Sequence, residues 1–144
     1  MSALSRRRFL IVGCGTLAAH QLGCGGHDVA VLPATVSAGS ASALTIGSFR
    51  AVPGAPAAIG RDAGGIYAIS LVCTHEGCDI SQGGTVSTSL IACPCHGSQF
   101  SGMGTVLVGP ATRPLPHLAV TADATGQLTI HGDQPVAADV RLQV

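Results

Sequence analysis

The chain has 144 residues, 47% hydrophobic and 10% charged, and its seven basic residues, all arginine, balance seven acids. A neutral chain with no basic run beyond its amino terminus excludes an electrostatic nucleic-acid binder. Apolar runs recur too regularly for a disordered chain, and the length allows one domain of about 100 to 120 residues around a single core.

The amino terminus carries Ser5-Arg6-Arg7-Arg8-Phe9-Leu10 ahead of an apolar stretch over residues 9–23. Paired arginines before an apolar segment read as a twin-arginine export signal; the alternative is the basic start of an ordinary signal peptide. The stretch includes His20 and Gln21 and falls short of the ~20 residues needed to span a bilayer. Leu22-Gly23-Cys24 followed by Gly25-Gly26 resembles the end of a lipoprotein signal, with Cys24 as the acylated first residue of the mature chain. Gln21 stands there in place of an apolar residue. Cys14 has better neighbours in Ile11-Val12-Gly13 but follows the arginines too soon. Residues 1–24 are therefore expected to be the signal, residues 25–43 a flexible tether rich in Ser, Ala and Gly, and residues 44–144 the folded domain. Without its arginine-rich start the chain keeps Arg50, Arg61, Arg113 and Arg141 against seven acids, a mildly acidic mature protein.

Strand signals follow in order. Residues 29–32, Val-Ala-Val-Leu, could form a first strand inside the tether. Residues 57–61 and 66–70 read as a hairpin joined through Asp62-Ala63-Gly64-Gly65. Residues 85–87 and 89–92 alternate well enough for a second hairpin. Residues 104–108, 118–121 and 127–131 supply further strands, with Asp123-Ala124-Thr125-Gly126 as a turn. No helix is expected after the signal, so the fold class is all-β.

Two cysteine and histidine clusters dominate the chemistry: Cys73-Thr74-His75-Glu76-Gly77-Cys78 and Cys93-Pro94-Cys95-His96-Gly97-Ser98-Gln99-Phe100. Each follows one of the two expected hairpin arms, so both loops would crown one small sheet. Two thiolates and two neutral imidazoles can hold a 2Fe-2S centre with both histidines on one iron. The same residues could instead make a tetrahedral zinc site, although zinc knuckles favour C-x2-4-C spacing, and the C-T-H triplet directs adjacent side chains awkwardly for one small ion. His27, His117 and His131 fall outside the clusters and read as surface or structural histidines. No nucleophile triad, phosphate loop or catalytic carboxylate pair is present, so any enzymatic activity would come from partners.

In order and separation, the C-T-H-x-G-C and C-P-C-H-G-S loops resemble those of the Rieske iron-sulfur family. The resemblance extends more weakly over residues 44–134, because Gly109-Pro110-Ala111-Thr112-Arg113-Pro114-Leu115 is similar to the proline-containing loop, here with Pro110, that covers a Rieske cluster from a third side. It implies a Rieske-type stack of antiparallel sheets with an inserted cluster-binding subdomain, and one 2Fe-2S cluster per chain. It also implies Cys73 and Cys93 on the inner iron, His75 and His96 on the outer iron, and a disulfide between Cys78 and Cys95, as in the subgroup of cytochrome bc complexes and arsenite oxidase small subunits.

Neutral histidines in place of two thiolates remove negative charge and raise the potential, to between roughly −150 and +300 mV. Reduction should strengthen proton binding at the outer imidazoles, which links electron to proton transfer. Ser98 stands where the family places a hydrogen-bond donor to sulfur. Phe100 stands where high-potential members carry a tyrosine hydroxyl, which implies a moderate potential. Glu76 replaces the apolar leucine that quinol-oxidising complexes set against docked quinone.

The leading expectation is an exported electron carrier on the periplasmic or outer face of a bacterial membrane, passing single electrons between a membrane or periplasmic donor and a cytochrome-like acceptor. The alternative is the iron-sulfur subunit of a quinol:cytochrome c reductase or of a molybdenum enzyme such as arsenite oxidase. A ferredoxin partner of ring-hydroxylating oxygenases fits worst, because those proteins are cytoplasmic and lack the extra cysteine pair.

Overall fold

Successive side chains of a strand point to opposite faces, and in β3, Ala57–Asp62, and β4, Gly65–Ser70, both faces are covered. Ala57, Ile59, Ile66 and Ala68 point into one hydrophobic core, Ala58, Tyr67 and Ile69 into another. This hairpin is the wall between the two cores, which is why its sequence reads as a nearly continuous apolar run rather than an alternation.

The computed structural model describes residues 28–144, so the expected signal and Cys24 lie outside the described residues. Around the hairpin stand β1, Thr35–Ser40, β2, Phe49–Ala51, β9, His117–Ala122, and β10, Gln127–Val136. They form a six-stranded antiparallel sheet in the order β1-β10-β9-β4-β3-β2. Val36, Leu118, Leu128 and Ile130 complete its core. Between β4 and β9 the chain makes a second sheet from β5, Thr85–Val86, β6, Ile91–Ala92, β7, Gln99–Phe100, and β8, Val106–Val108, in that order. Leu71, Ile80, Ile91, Phe100 and Leu115 fill the second core, together with Cys73, Cys78 and Cys93. Two antiparallel sheets with the smaller one inserted in the larger is the fold class the sequence implied. Among the described residues there is no α-helix, only the 3-10 turn Ala41–Ala43, and no helix is long and apolar enough to cross a membrane.

Two expectations need correction. Residues 29–32 form no strand, and the expected tether does not extend through residue 43. Residues 35–40 are β1, paired along β10 from Thr35↔His131 to Ser40↔Gln127. Val36 and Ala38 alternate inward, but their neighbours Thr, Ser and Gly gave the stretch a linker composition. A register shift between Ser37 and Gly39 interrupts the pairing, and Gly39 supplies the φ of 81° there.

The carboxyl terminus closes the larger sheet. Ile66 and Leu142 exchange backbone hydrogen bonds of 3.0 and 2.9 Å. Arg141 donates to Asp62 at 2.7 Å and stacks over the Tyr67 ring at 4.6 Å. Burial alone would raise the Asp62 pKa, but the Arg141 guanidinium and the backbone N–H of Gly64 outweigh it and hold the carboxyl below its ordinary value.

Candidate functional site

Both cysteine-histidine segments fold into the same six-residue loop. In the first, Cys73 N donates to Cys78 O at 2.8 Å and Gly77 N donates to Cys73 O at 2.8 Å. In the second, Cys93 N donates to Ser98 O at 2.8 Å and Gly97 N donates to Cys93 O at 3.2 Å. The fifth residue of each turns through positive φ, 74° at Gly77 and 75° at Gly97, a conformation that costs a residue with a Cβ about 1–2 kcal/mol. The first loop leaves β4 through Leu71, to which Ile80 N returns a 2.9 Å hydrogen bond. The second is the β6–β7 hairpin connection.

A disulfide between Cys78 and Cys95, with Cα atoms 6.5 Å apart, ties the loops together. A third loop completes the enclosure: Ala111 N donates to Ser98 Oγ at 3.0 Å, and Thr74 Oγ1 donates to Arg113 O at 2.6 Å. Gly109-Pro110 in that loop is a cis peptide. Pro110 itself is exposed, so the contact to the site is made by the backbone of Ala111.

Cys73 and Cys93 are free thiols, 2% and 3% exposed, on the buried side of the loops. Burial pushes the Cys73 thiol pKa up, and the neighbouring Cys93 adds to that. The backbone N–H of His75 and the Ser98 hydroxyl, which hydrogen-bond its sulfur, pull the other way. Ser98 thus accepts from Ala111 N–H and donates to Cys73 through one fully buried oxygen.

His75 and His96 lie on the outer side, their rings edge to face with centroids 5.0 Å apart. Nδ1 of His75 is buried and has no hydrogen-bond partner, an arrangement that costs about 1–3 kcal/mol unless something binds the nitrogen. Glu76 pairs across the loops, with Oε2 3.7 Å from Nε2 of His96.

Among the described residues, the potential ligand atoms within 4.8 Å of one another form two groups of three or more, Cys78, Cys93 and Cys95, of which Cys78 and Cys95 are joined in the disulfide and leave Cys93 with Cys73 as the free thiols, and His75, Glu76 and His96. Neither mixes sulfur with imidazole nitrogen. A single tetrahedral zinc would draw both kinds of donor onto one point. A buried sulfur side and an outer nitrogen side fit a two-iron cluster with unlike ends.

Of the remaining sequence-predicted residues, Phe100 is fully buried in the second core. His131 binds Thr121 Oγ1 at 2.9 Å, and buried His117 binds Met103 O at 3.0 Å through Nε2. His27 and Cys24 lie outside the described residues. Sequence reasoning missed three supports: the Thr74 hydroxyl, the Ala111 amide, and residues 29–30 lying against the first loop, where Ala30 N donates to Gly77 O at 2.7 Å. Each support pairs a loop with a backbone group of a distant segment, Arg113 O, Ala111 N or Ala30 N, for which a motif carries no signal.

The sequence model described as "Rieske [2Fe-2S] domain" matches residues 20–119. The Rieske iron-sulfur subunit of the cytochrome bc1 complex of Corynebacterium diphtheriae is 44% identical over 72 residues, 49% of this chain and 18% of that protein. The iron-sulfur subunit of the cytochrome b6-f complex of Synechococcus sp. (strain JA-2-3B'a(2-13)) is 40% identical over 76 residues, 51% of this chain and 43% of that protein. The matches to these two relatives thus span less than half of either relative's length. A chain in the solved complex of reduced oxygenase and oxidized ferredoxin in carbazole 1,9a-dioxygenase superposes with a TM-score of 0.50 at 29% identity, covering 72% of this chain and 98% of that one.

Proposed function

This chain belongs to the Rieske 2Fe-2S family and is an electron-transfer protein, and we propose that it works outside the cytoplasm, exported folded and held to a membrane through Cys24. In that setting it passes single electrons from a membrane or periplasmic donor to a cytochrome-like acceptor. Export of a folded chain suits a cofactor inserted beforehand, and an oxidising compartment suits the Cys78–Cys95 disulfide.

One observation carries the assignment of ligands: two free, buried thiols on one side of the paired loops and, on the other, two imidazoles with His75 Nδ1 buried and unpartnered. Cys73 and Cys93 would hold the inner iron, His75 and His96 the outer. When bound, the cluster supplies one-electron chemistry at a potential raised by its two neutral ligands. The protein keeps the sulfur side dry through Phe100, Ile91 and Leu115. The Ser98 hydroxyl stabilises negative charge on the Cys73 sulfur, which favours the reduced state. His96, its side chain 35% exposed, offers the outer edge where a partner can approach. Glu76 Oε2 stands 3.7 Å from Nε2 of that ring, which sets a carboxylate at the edge a partner would meet.

The match to bc1 and b6-f subunits favours a second reading, an iron-sulfur subunit of a quinol-oxidising complex. Glu76 and Phe100 weigh against it, the first by placing an exposed carboxylate beside the histidines, the second by lacking a hydroxyl for the cluster. Titrating the paramagnetic resonance signal of the reduced protein against potential at several pH values separates the two. A moderate potential, below that of the membrane quinone pool and nearly flat with pH around neutrality, is expected for the carrier. A potential above the quinone pool that falls as pH rises would establish the complex subunit instead. An absent Rieske-type signal would overturn both.

A further inference from the structure

A cleft of about 490 Å³ opens where the two sheets meet, and neither ligand loop contributes to its wall. The smaller sheet supplies Val106 of β8 and Met103 from the β7–β8 connection, and the larger sheet supplies Val136 at the end of β10. The third loop supplies the rest of the apolar wall. There Leu115 is buried in the second core, while Pro114 and Pro116 on either side of it stay exposed. The volume falls within the roughly 300–1,000 Å³ of small-molecule sites. Among the described residues, none in this wall carries a carboxylate, an ammonium or a guanidinium; its polar side chains are Thr105, Thr112 and His117.

His117 is the wall residue with a bond to spare. It is 4% exposed, and its Nε2 lies 3.0 Å from Met103 O. A carbonyl oxygen only accepts, so Nε2 carries the proton, and Nδ1 of the neutral ring is left as an acceptor. That Nδ1 is buried and has no hydrogen-bond partner. The ring cannot easily turn to find one, because Met103 O holds one corner and Tyr67 stacks beside it with centroids 6.2 Å apart. Among the described residues, His75 is the other histidine with a ring nitrogen in this condition, and ligation of iron accounts for it. His117 stands outside both ligand loops, so its orphaned acceptor calls for a donor of another kind.

The wall restricts what that donor can belong to. A charged molecule would lose its hydration here without meeting an opposite charge. A purely apolar one would fill the space and leave Nδ1 unpaired. The sulfur of Met103 favours an aromatic ring over an alkyl chain, since thioethers meet ring edges well. We propose that this cleft binds an uncharged hydroxy-aromatic compound, its ring seated among Met103, Pro114 and Pro116 and its hydroxyl donating to Nδ1 of His117. Binding here requires neither the membrane attachment nor the redox partners named above. It does place the ligand against the loop whose Ala111 N–H is bonded to Ser98 Oγ in the cluster site.

The test is calorimetric titration of the full chain, with its cluster, by three probes near neutral pH: a naphthol, its methyl ether and the corresponding naphthoate. The naphthol should bind saturably with one molecule per chain. The ether keeps the ring and lacks the donor, so it should bind about tenfold more weakly, the effect of one buried hydrogen bond. The naphthoate should not bind measurably. Ala138→Trp, at an exposed residue of the cleft, should abolish naphthol binding in protein that is folded by circular dichroism. His117→Phe keeps a ring beside Tyr67 and should bring the naphthol down to the affinity of the ether. If that variant does not fold, the nitrogen resonance of His117 Nδ1 in the native protein reads the same bond, shifting with the naphthol and staying in place with the ether. No saturable binding, or binding that Ala138→Trp leaves intact, overturns the site. Equal affinity for the naphthol and its ether overturns the role given to His117 and with it the class of ligand.

Discussion

The two ligand loops share one backbone and differ in nearly everything built on it. Both close through a hydrogen bond from the first residue to the carbonyl of the sixth, and both turn on a glycine near φ 75° in fifth place. On that frame the histidine is third in one loop and fourth in the other. The sixth residue is a disulfide cysteine in the first and a buried serine in the second. Their surroundings differ more. The first loop is held at Gly77 by residues 29–30, which cross it as a strap, and at Thr74 by Arg113 O, whereas the second is held by Ala111 N at Ser98 and, its chain neighbours aside, no described residue comes within 4 Å of a Cβ placed on Gly97. A repeated backbone thus presents unlike side chains to one site, and the loop with the more exposed histidine is also the less supported one.

The largest effect should come from breaking the donor set on the open loop. His96→Ala is expected to abolish the Rieske-type paramagnetic resonance signal while leaving the sheets folded by circular dichroism. An unchanged spectrum would refute the ligand assignment. Next is the link that makes the two loops one unit. The disulfide closes a segment of sequence separation 17, for which chain-entropy arguments give about 3 kcal/mol. Cys78→Ala combined with Cys95→Ala should lower stability by about that amount in denaturant titration and speed cluster loss on warming. If the native protein keeps its stability after mild reduction, the disulfide is not what joins the loops.

The contrast also explains what the sequence could and could not disclose. Ligand chemistry needs particular atoms at particular spacings, so Cys73, His75, Cys93 and His96 stand out as candidates, and Ile66, Tyr67, Ala68 and Ile69 are recognisable as a strand from their apolar run. Support of the loops needs only backbone groups from the segments that supply it. Ala30 N, Ala111 N and Arg113 O would serve with almost any side chain, and nothing in residue type marks them. β1 was hidden for a related reason. Its inward residues, Val36 and Ala38, are small and set among Ser, Thr and Gly, so composition points to a linker while pairing with β10 supplies the order. The two-residue strand β7, Gln99–Phe100, is too short for any periodicity. Tertiary context decides such segments.

A smaller effect separates the sixth positions. Ser98 Oγ both accepts from Ala111 N–H and donates to the Cys73 sulfur. Ser98→Ala should cost about 1–3 kcal/mol by leaving the buried amide unpaired, and it should lower the reduction potential, because the donor favours the more negative state. Phe100→Tyr tests the converse and should raise the potential, provided the added hydroxyl reaches a sulfur from its fully buried position. Voltammetry on the purified variants reads both. A fall in stability for Ser98→Ala with no shift in potential would mean that its hydroxyl serves the third loop alone.

The smallest effect is the most direct measure of how unequally the loops are supported. Gly77→Ala and Gly97→Ala force the same residue into the same left-handed conformation, so each should cost about 1–2 kcal/mol from backbone strain alone. At Gly97 the cost ends there, since the new methyl group meets open space. At Gly77 it would also meet Cγ1 of Val29 at 2.6 Å, and relief requires the Val29 side chain to turn or residues 29–30 to lift away from the loop, straining the bond from Ala30 N to Gly77 O. The difference between the two variants in denaturant titration therefore isolates the strap from the turn. Combining Gly77→Ala with Val29→Gly should bring its cost down to that of Gly97→Ala, because the collision is gone and the strain remains. Equal costs for the two single variants would show that the strap yields freely, and the first loop would then be no better held than the second.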